Sequence, residues 1–147
     1  MKLLRIQTDN QSFPCILDKD ENIRILENIN DLTSSSISKE YFDEIANIDL
    51  TSLKIAPSNS KILPCVKDTT KVICIGLNYS DHCKETGMDI PKEPLVFSKA
   101  VSSIIGPNDD VFLPPQSEKS DWEVELGIIV QKKAKNIDLN NVNDYIA

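Results

Sequence analysis

The sequence predicts a mixed α+β chain in which strands outnumber helices. Three observations carry that expectation. Short β-type runs such as Leu3–Ile6 and Pro14–Leu17 recur between polar turns. One stretch, Ser38 to Ile45, has the spacing of an amphipathic helix. An almost continuous apolar run, Val72 to Leu77, has the length and composition of a strand and stops at a helix-capping residue.

In chain order, Leu3-Leu4-Arg5-Ile6 and Pro14-Cys15-Ile16-Leu17 are separated by the polar turn Thr8-Asp9-Asn10-Gln11. A second turn, Asp18 to Asn22, leads into Ile23-Arg24-Ile25-Leu26. Ser38 is the expected N-cap of the helix, with Tyr41, Phe42 and Ile45 on one apolar face. Pro57-Ser58-Asn59-Ser60 opens a linker that runs through Pro64. Residues 1–64 are therefore expected to form a small amino-terminal α+β unit, accessory to the chemistry, and residues 65–147 a larger, mostly β part. No internal repeat occurs, and Ser34–Ser36 is the only low-complexity tract.

All four glycines lie in the second part. Val72 to Leu77 reads as a strand buried on both faces. Asn78 is the expected N-cap of a short helix, Tyr79 to Glu85, with Gly87 as its stop. Leu95 to Lys99 is a further strand, Pro107 to Asp110 a turn, and Asp121 to Val130 the longest strand. Asn141 to Ala147 reads as the beginning of a helix. Without a C-cap or polar tail, the chain is expected to be interrupted there.

The 147 residues match one ordinary domain, and 40% hydrophobic with 27% charged residues is a globular balance. The net charge of −7 repels phosphate backbones and argues against a nucleic-acid partner. No apolar stretch approaches the ~20 residues that span a bilayer, so no membrane partner is expected. The first residues lack the apolar core of a signal peptide, which points to the cytoplasm. Cys15, Cys65, Cys74 and Cys83 are too widely spaced for a CxxC motif, and one histidine makes no zinc pattern. They are expected to be reduced thiols. Cys83 beside His82 points about 100° away on a helix, which disfavours a Cys–His nucleophile pair.

Two constellations carry chemistry. In Asp121-Trp122-Glu123-Val124-Glu125-Leu126-Gly127 the period is two, with carboxylates on one face and apolar side chains on the other. Same-face residues lie about 7 Å apart, so Glu123 and Glu125 can converge on a hard cation such as Mg²⁺, Mn²⁺ or Ca²⁺. The same pattern also fits a solvated outer face. The second constellation is His82 with Glu85, three residues apart and hence on one helix face. A carboxylate beside an imidazole fixes its tautomer, the arrangement of a base that takes a proton from water. A surface histidine with an incidental ion pair is the other reading.

Ile73 to His82 resembles the GLNYxDH signature of the fumarylacetoacetate hydrolase (FAH) family. Later blocks follow in the family's order: Pro91 to Lys99 (PxxPLVFSK), Gly106-Pro107-Asn108-Asp109, and Asp121 to Gly127 (DWEVELG). The similarity runs from Val72 to Ala147. Met1 to Arg5 and Leu17-Asp18 are similar to the bacterial branch labelled ureidoglycolate lyase or 2,4-diketo-3-deoxy-L-fuconate hydrolase.

The resemblance implies a mixed β-roll, here incomplete, and a metal-dependent hydrolase or lyase. Its substrate would be a small 2-oxo or diketo acid, or ureidoglycolate, cleaved at a C–C or C–N bond. It implies Glu123 and Glu125 as ligands of Mg²⁺, Mn²⁺ or Ca²⁺, His82 and Glu85 as a water-activating dyad, and Lys99 as a substrate-binding residue. It further implies a homodimer. The family's third metal carboxylate, an aspartate in an NDxSxR-type block, lies beyond Ala147, as do a lysine and a TGTPxG loop; Gln131 stands where glycine is common. A non-catalytic remnant serving as a binding or interaction module fits the same signals.

Overall fold

A computed structural model describes residues 1–147. The protein is mixed α+β, with six strands, two α-helices and three 3-10 helices. Its contacts divide it into two units: Met1–Asp68 with Gly106–Ala147, and Thr69–Ile105.

The first unit is built on an antiparallel sheet. Strands β1 (Leu3–Thr8) and β2 (Gln11–Leu17) pair from Leu3 opposite Ile16 to Thr8 opposite Gln11. Asp9 and Asn10 join them with φ of 48° and 63°, as a tight two-residue hairpin requires, and these residue types tolerate left-handed backbone. Strand β3 (Ile23–Ile25) adds beside β2, with Cys15 opposite Ile25. Strand β4 (Lys61–Leu63) adds on the far side of β1, with Arg5 opposite Leu63. The expected linker from Pro57 to Pro64 thus contains a strand, because β1 offers it a ladder that the local sequence does not announce.

Helix α1 (Lys39–Ala46) begins where expected: the Ser38 hydroxyl accepts from the Tyr41 N–H at 3.2 Å. Tyr41 and Ile45 are buried beside Ile16, Leu26, Leu32 and Ile37, with Phe42 packed at the margin. The Tyr41 hydroxyl donates to the Asn30 carbonyl at 2.9 Å, so its burial leaves no polar atom unpaired. The opposite sheet face buries Ile6, Cys15 and Ile25. Consecutive residues Cys15 and Ile16 are both buried, one in each cluster, because apolar residues cover the sheet's centre from both sides.

Arg5 is the one buried charged residue. Its guanidinium donates to both Asp31 carboxylate oxygens, at 2.7 and 2.8 Å, and to the Pro64 carbonyl at 3.2 Å. That fork holds the Asp31 carboxyl below the usual carboxylate range.

In the remainder of this unit the turn at Pro107–Asp110 forms as expected. The Asp109 N–H donates to Gly106 O at 3.1 Å, and the Asp109 carboxylate accepts from the Gly106 N–H at 2.9 Å. Lys61 pairs with Asp109 at 2.7 Å. A Cβ on Gly106 would meet the Ile62 carbonyl at 2.7 Å, so only glycine permits this approach.

The expected strand from Asp121 to Val130 does not form. Residues 121–129 carry no regular structure, and only Val130 bridges, to Ile146. A strand exists where a neighbour completes its hydrogen bonds, and pairing begins only at the end of this stretch, where the Ala147 N–H donates to the Ile129 carbonyl at 2.9 Å. The expected α-helix from Asn141 is instead a 3-10 helix, Leu139–Tyr145, capped by the Asp138 carboxylate accepting from Asn140 N–H at 2.8 Å.

The second unit is smaller. Strand β5 (Val72–Gly76) pairs antiparallel with β6 (Leu95–Lys99), from Val72 opposite Lys99 to Gly76 opposite Leu95. Burial on both faces of β5 is not seen: Ile73 is 59% and Ile75 43% exposed, since the sheet has only two strands. Helix α2 (Ser80–Thr86) follows, and its cap position is Tyr79 rather than Asn78. Gly87 ends it in left-handed backbone, φ 67°, as expected.

Candidate functional site

Helix α2 presents the first candidate pair. His82 and Glu85 lie one turn apart on it, and both are exposed. The i,i+3 ion pair of this helix joins Asp81 to Lys84 at 3.1 Å, and no hydrogen bond or ion pair links the His82 and Glu85 side chains. The Thr86 hydroxyl donates to the His82 carbonyl at 2.8 Å, which occupies the backbone and leaves the imidazole clear. One buried side chain anchors the helix: Cys83, 1% exposed, whose thiol donates to the Leu77 carbonyl at 3.6 Å. Its burial fits the expectation that Cys83 is no nucleophile.

Glu123 and Glu125 belong to the first unit and lie on the irregular segment 121–129, both exposed. Their apolar alternates Trp122, Val124 and Leu126 are 84%, 88% and 79% exposed, so the alternation predicted from the sequence separates no core face from a solvent face. Asp121 accepts from the Trp122 N–H at 2.8 Å, which bends the start of the segment. Lys99 ends β6 opposite Val72 and is exposed.

A hard divalent cation takes about six oxygen donors and binds firmly only where several carboxylates converge. No group of three or more His, Cys, Asp or Glu side chains converges in this chain. The residues present supply at most the two carboxylates of Glu123 and Glu125, so they do not complete a cation site by themselves.

A cavity of about 530 Å³ lies in the first unit, between the first turn of α1 and the 3-10 helix near the carboxyl end. Ser38, Glu40, Phe42, Gln131, Asn143 and Ile146 line it, and none of the candidate residues does. Glu40 is held below the usual carboxylate range by its own backbone N–H and by the Ser38 hydroxyl, an electrostatic gain of the helix start rather than a catalytic device.

One feature beside the candidate dyad is absent from any sequence expectation. Leu77, between β5 and α2, has φ of 50°. Leucine has no propensity for left-handed backbone, so composition carries no signal for it.

The family model for the fumarylacetoacetate hydrolase C-terminal domain matches residues 71–147. Similar curated proteins include ones named "Putative hydrolase" from Burkholderia lata, Burkholderia ambifaria and Burkholderia multivorans, each 43% identical over 148 aligned positions. The alignment takes in the whole of this chain and 52% of each relative, so the chain spans about half the length of the curated relatives it matches.

Proposed function

Because the chain belongs to the fumarylacetoacetate hydrolase family, we propose that it carries part of the machinery of a hydrolase or lyase acting on a small 2-oxo acid, diketo acid or ureidoglycolate. The observation that supports this reading most is the ordered set of blocks inside the family match: Gly76 to His82, Leu95 to Lys99, and Asp121 to Gly127. The start of the chain favours the ureidoglycolate lyase or diketo-deoxy-fuconate hydrolase branch.

In this reading His82 is the base. For a C–C substrate it takes a proton from water, the resulting hydroxide adds to the substrate carbonyl, and the C–C bond breaks with its electron pair leaving on the departing fragment. For ureidoglycolate it takes the hydroxyl proton of the carbon bearing nitrogen, and the C–N bond breaks with its pair on the urea nitrogen as the new carbonyl forms. The protonated imidazole then returns its proton to the departing fragment, which closes the balance. Glu85, on the same helix face, swings against the imidazole and stabilises its charged form. Lys99 supplies a positive charge for the substrate carboxylate. Glu123 and Glu125 would give two of the oxygens that hold Mg²⁺, Mn²⁺ or Ca²⁺, whose chemistry when bound is to polarise the substrate's oxygens. The reading includes a cytoplasmic protein with a small-molecule partner and a homodimeric form, without nucleic acid or membrane, and the net charge of −7 supports the exclusion of nucleic acid. No helix is long and apolar enough to cross a membrane.

The test is His82→Ala in a protein completed with the rest of the family domain, assayed against acylpyruvates and ureidoglycolate. Turnover should fall about 10²–10⁴-fold, the range for losing a general base, with Mg²⁺ affinity unchanged. Full activity in that variant removes His82 from the mechanism.

A second reading is a non-catalytic binding or interaction module, which fits the same sequence blocks. Sequencing the transcript past Ala147 separates the two. An in-frame NDxSxR block supports the enzyme, and a stop codon supports the module.

A further inference from the structure

Three features of the second unit meet at the junction of β5 and α2. Leu77 is the single apolar residue of the chain in left-handed backbone; the other non-glycine residues with positive φ are Asp9, Asn10, Glu21, Asp68 and Asn136. Gly76, next to it, keeps ordinary strand geometry opposite Leu95, so the reversal falls on the leucine although a glycine is adjacent. Second, Cys83 is the only buried residue in the unit, and its thiol reaches back to the Leu77 carbonyl at 3.6 Å. Third, the Met88 N–H closes on the Cys83 carbonyl at 2.9 Å just past Gly87. The helix is thereby tied through one residue to the strained turn before it and to the stop after it.

Seven residues make two turns, too short a helix to hold its own orientation in water. Its rotation about its axis must be set from outside. His82 immediately precedes Cys83, so burying Cys83 against Leu77 sends the imidazole about 100° around the helix from that contact. A helix that slipped by one residue would turn His82 by the same angle.

We infer that Leu77 and Cys83 are positioning residues for His82: the left-handed turn and the thiol beneath it fix the direction in which the imidazole leaves α2. The catalytic meaning of that direction rests on the reading of His82 as the base. The clamp itself does not.

His82 is the only histidine, so its imidazole C–H resonances need no assignment and report its surroundings directly. The deciding variants separate backbone from side chain. Leu77→Asn and Leu77→Gly tolerate positive φ but discard the apolar side chain. Leu77→Val keeps an apolar side chain but is β-branched and resists that backbone. The clamp predicts that Leu77→Asn and Leu77→Gly leave the His82 resonance at its wild-type position, whereas Leu77→Val and Cys83→Ala displace or broaden it. Amide exchange at Met88 should accelerate about tenfold in Leu77→Val. The reverse order, with Leu77→Val silent and Leu77→Asn displaced, overturns the inference, because Leu77 would then matter only as packing. An unchanged His82 signal in Cys83→Ala overturns it as well. Should Leu77→Val fail to fold, Leu77→Asn and Cys83→Ala still decide. These spectra involve no turnover, so failure of the clamp and failure of His82 as a base show in different experiments.

Discussion

Replacing Asp31 by alanine removes the partner of the one buried cation in the chain. The Arg5 side chain is 6% exposed and that of Asp31 18%, and two charge-assisted hydrogen bonds of 2.7 and 2.8 Å join them. Breaking a buried pair from one side costs about 3–5 kcal/mol, chiefly because the remaining charge stays desolvated. The residual exposure of Asp31 and the surviving bond from Arg5 to the Pro64 carbonyl place this case near the lower end, about 3 kcal/mol. For a chain of this size that corresponds to a melting point lower by about 6–12 °C. Far-UV circular dichroism should be used rather than fluorescence, because the only tryptophan, Trp122, is 84% exposed and senses the core poorly. The exposed pair Lys54–Glu27 at 2.8 Å is the control: Glu27→Ala should cost under about 1 kcal/mol. The double variant Arg5→Met/Asp31→Leu should recover at least half of the loss, since no unpaired charge remains. The reasoning fails if Asp31→Ala costs no more than Glu27→Ala, or if the double variant is no more stable than the single one.

The same pair sets an acid limit. Arg5 lowers the Asp31 pKa on folding, so the contribution is complete above the unfolded carboxylate value and disappears as pH falls through the folded one. The stability gap between wild type and Asp31→Asn should therefore be flat at neutral pH and shrink below pH 3.8; a gap constant down to the acid transition would contradict the pairing. Thiol labelling should follow burial. Cys65 is exposed and should react first and Cys74 later, whereas Cys15, pushed up to about 12 by burial and by the Asp31 charge, and Cys83 should react only on unfolding. Early labelling of Cys15 in the native protein would show that the second core cluster opens readily. For the cation, calorimetry with Mg²⁺ should give weak binding, further weakened by Glu123→Gln more than by Asp121→Asn. Equal losses, or tight binding by this chain, would mean the ligands are assigned wrongly.

What the sequence discloses and what it hides divide along a physical line. Ser38 capping α1, Tyr41 and Ile45 on its inner face, and the Asp9-Asn10 turn are settled within a few residues, and each was legible. Strand β4 was not. Lys61–Leu63 sits between prolines and becomes a strand only because β1, more than fifty residues earlier, offers open hydrogen bonds. Residues 121–129 err in the opposite direction: the alternation is regular, yet no ladder forms along them and pairing starts only at Ile129 and Val130. Arg5 belongs with these cases, since nothing in Leu3-Leu4-Arg5-Ile6 foretells the carboxylate twenty-six residues on that lets it be buried.

That His82 and Glu85 share one face of α2 was legible for a different reason. A spacing of three on a helix is a local fact, so His82 and Glu85 could be paired on paper as soon as α2 was recognised. Local spacing fixes which residues share a face but leaves open where the face looks, and for a helix of two turns that direction is not intrinsic. Here it is set by a leucine in backbone that leucine disfavours, beside a glycine that adopts ordinary strand geometry. Left-handed backbone costs such a residue about 1–2 kcal/mol, and it persists only where surrounding contacts over-determine it. The Cys83 thiol, the one buried side chain in that unit, is the contact available to do so. A turn kept for folding alone would be cheaper with the glycine one position later. Strain placed instead at the entrance of the helix that carries the only histidine is therefore better accounted for by the direction it gives His82 than by the stability it costs.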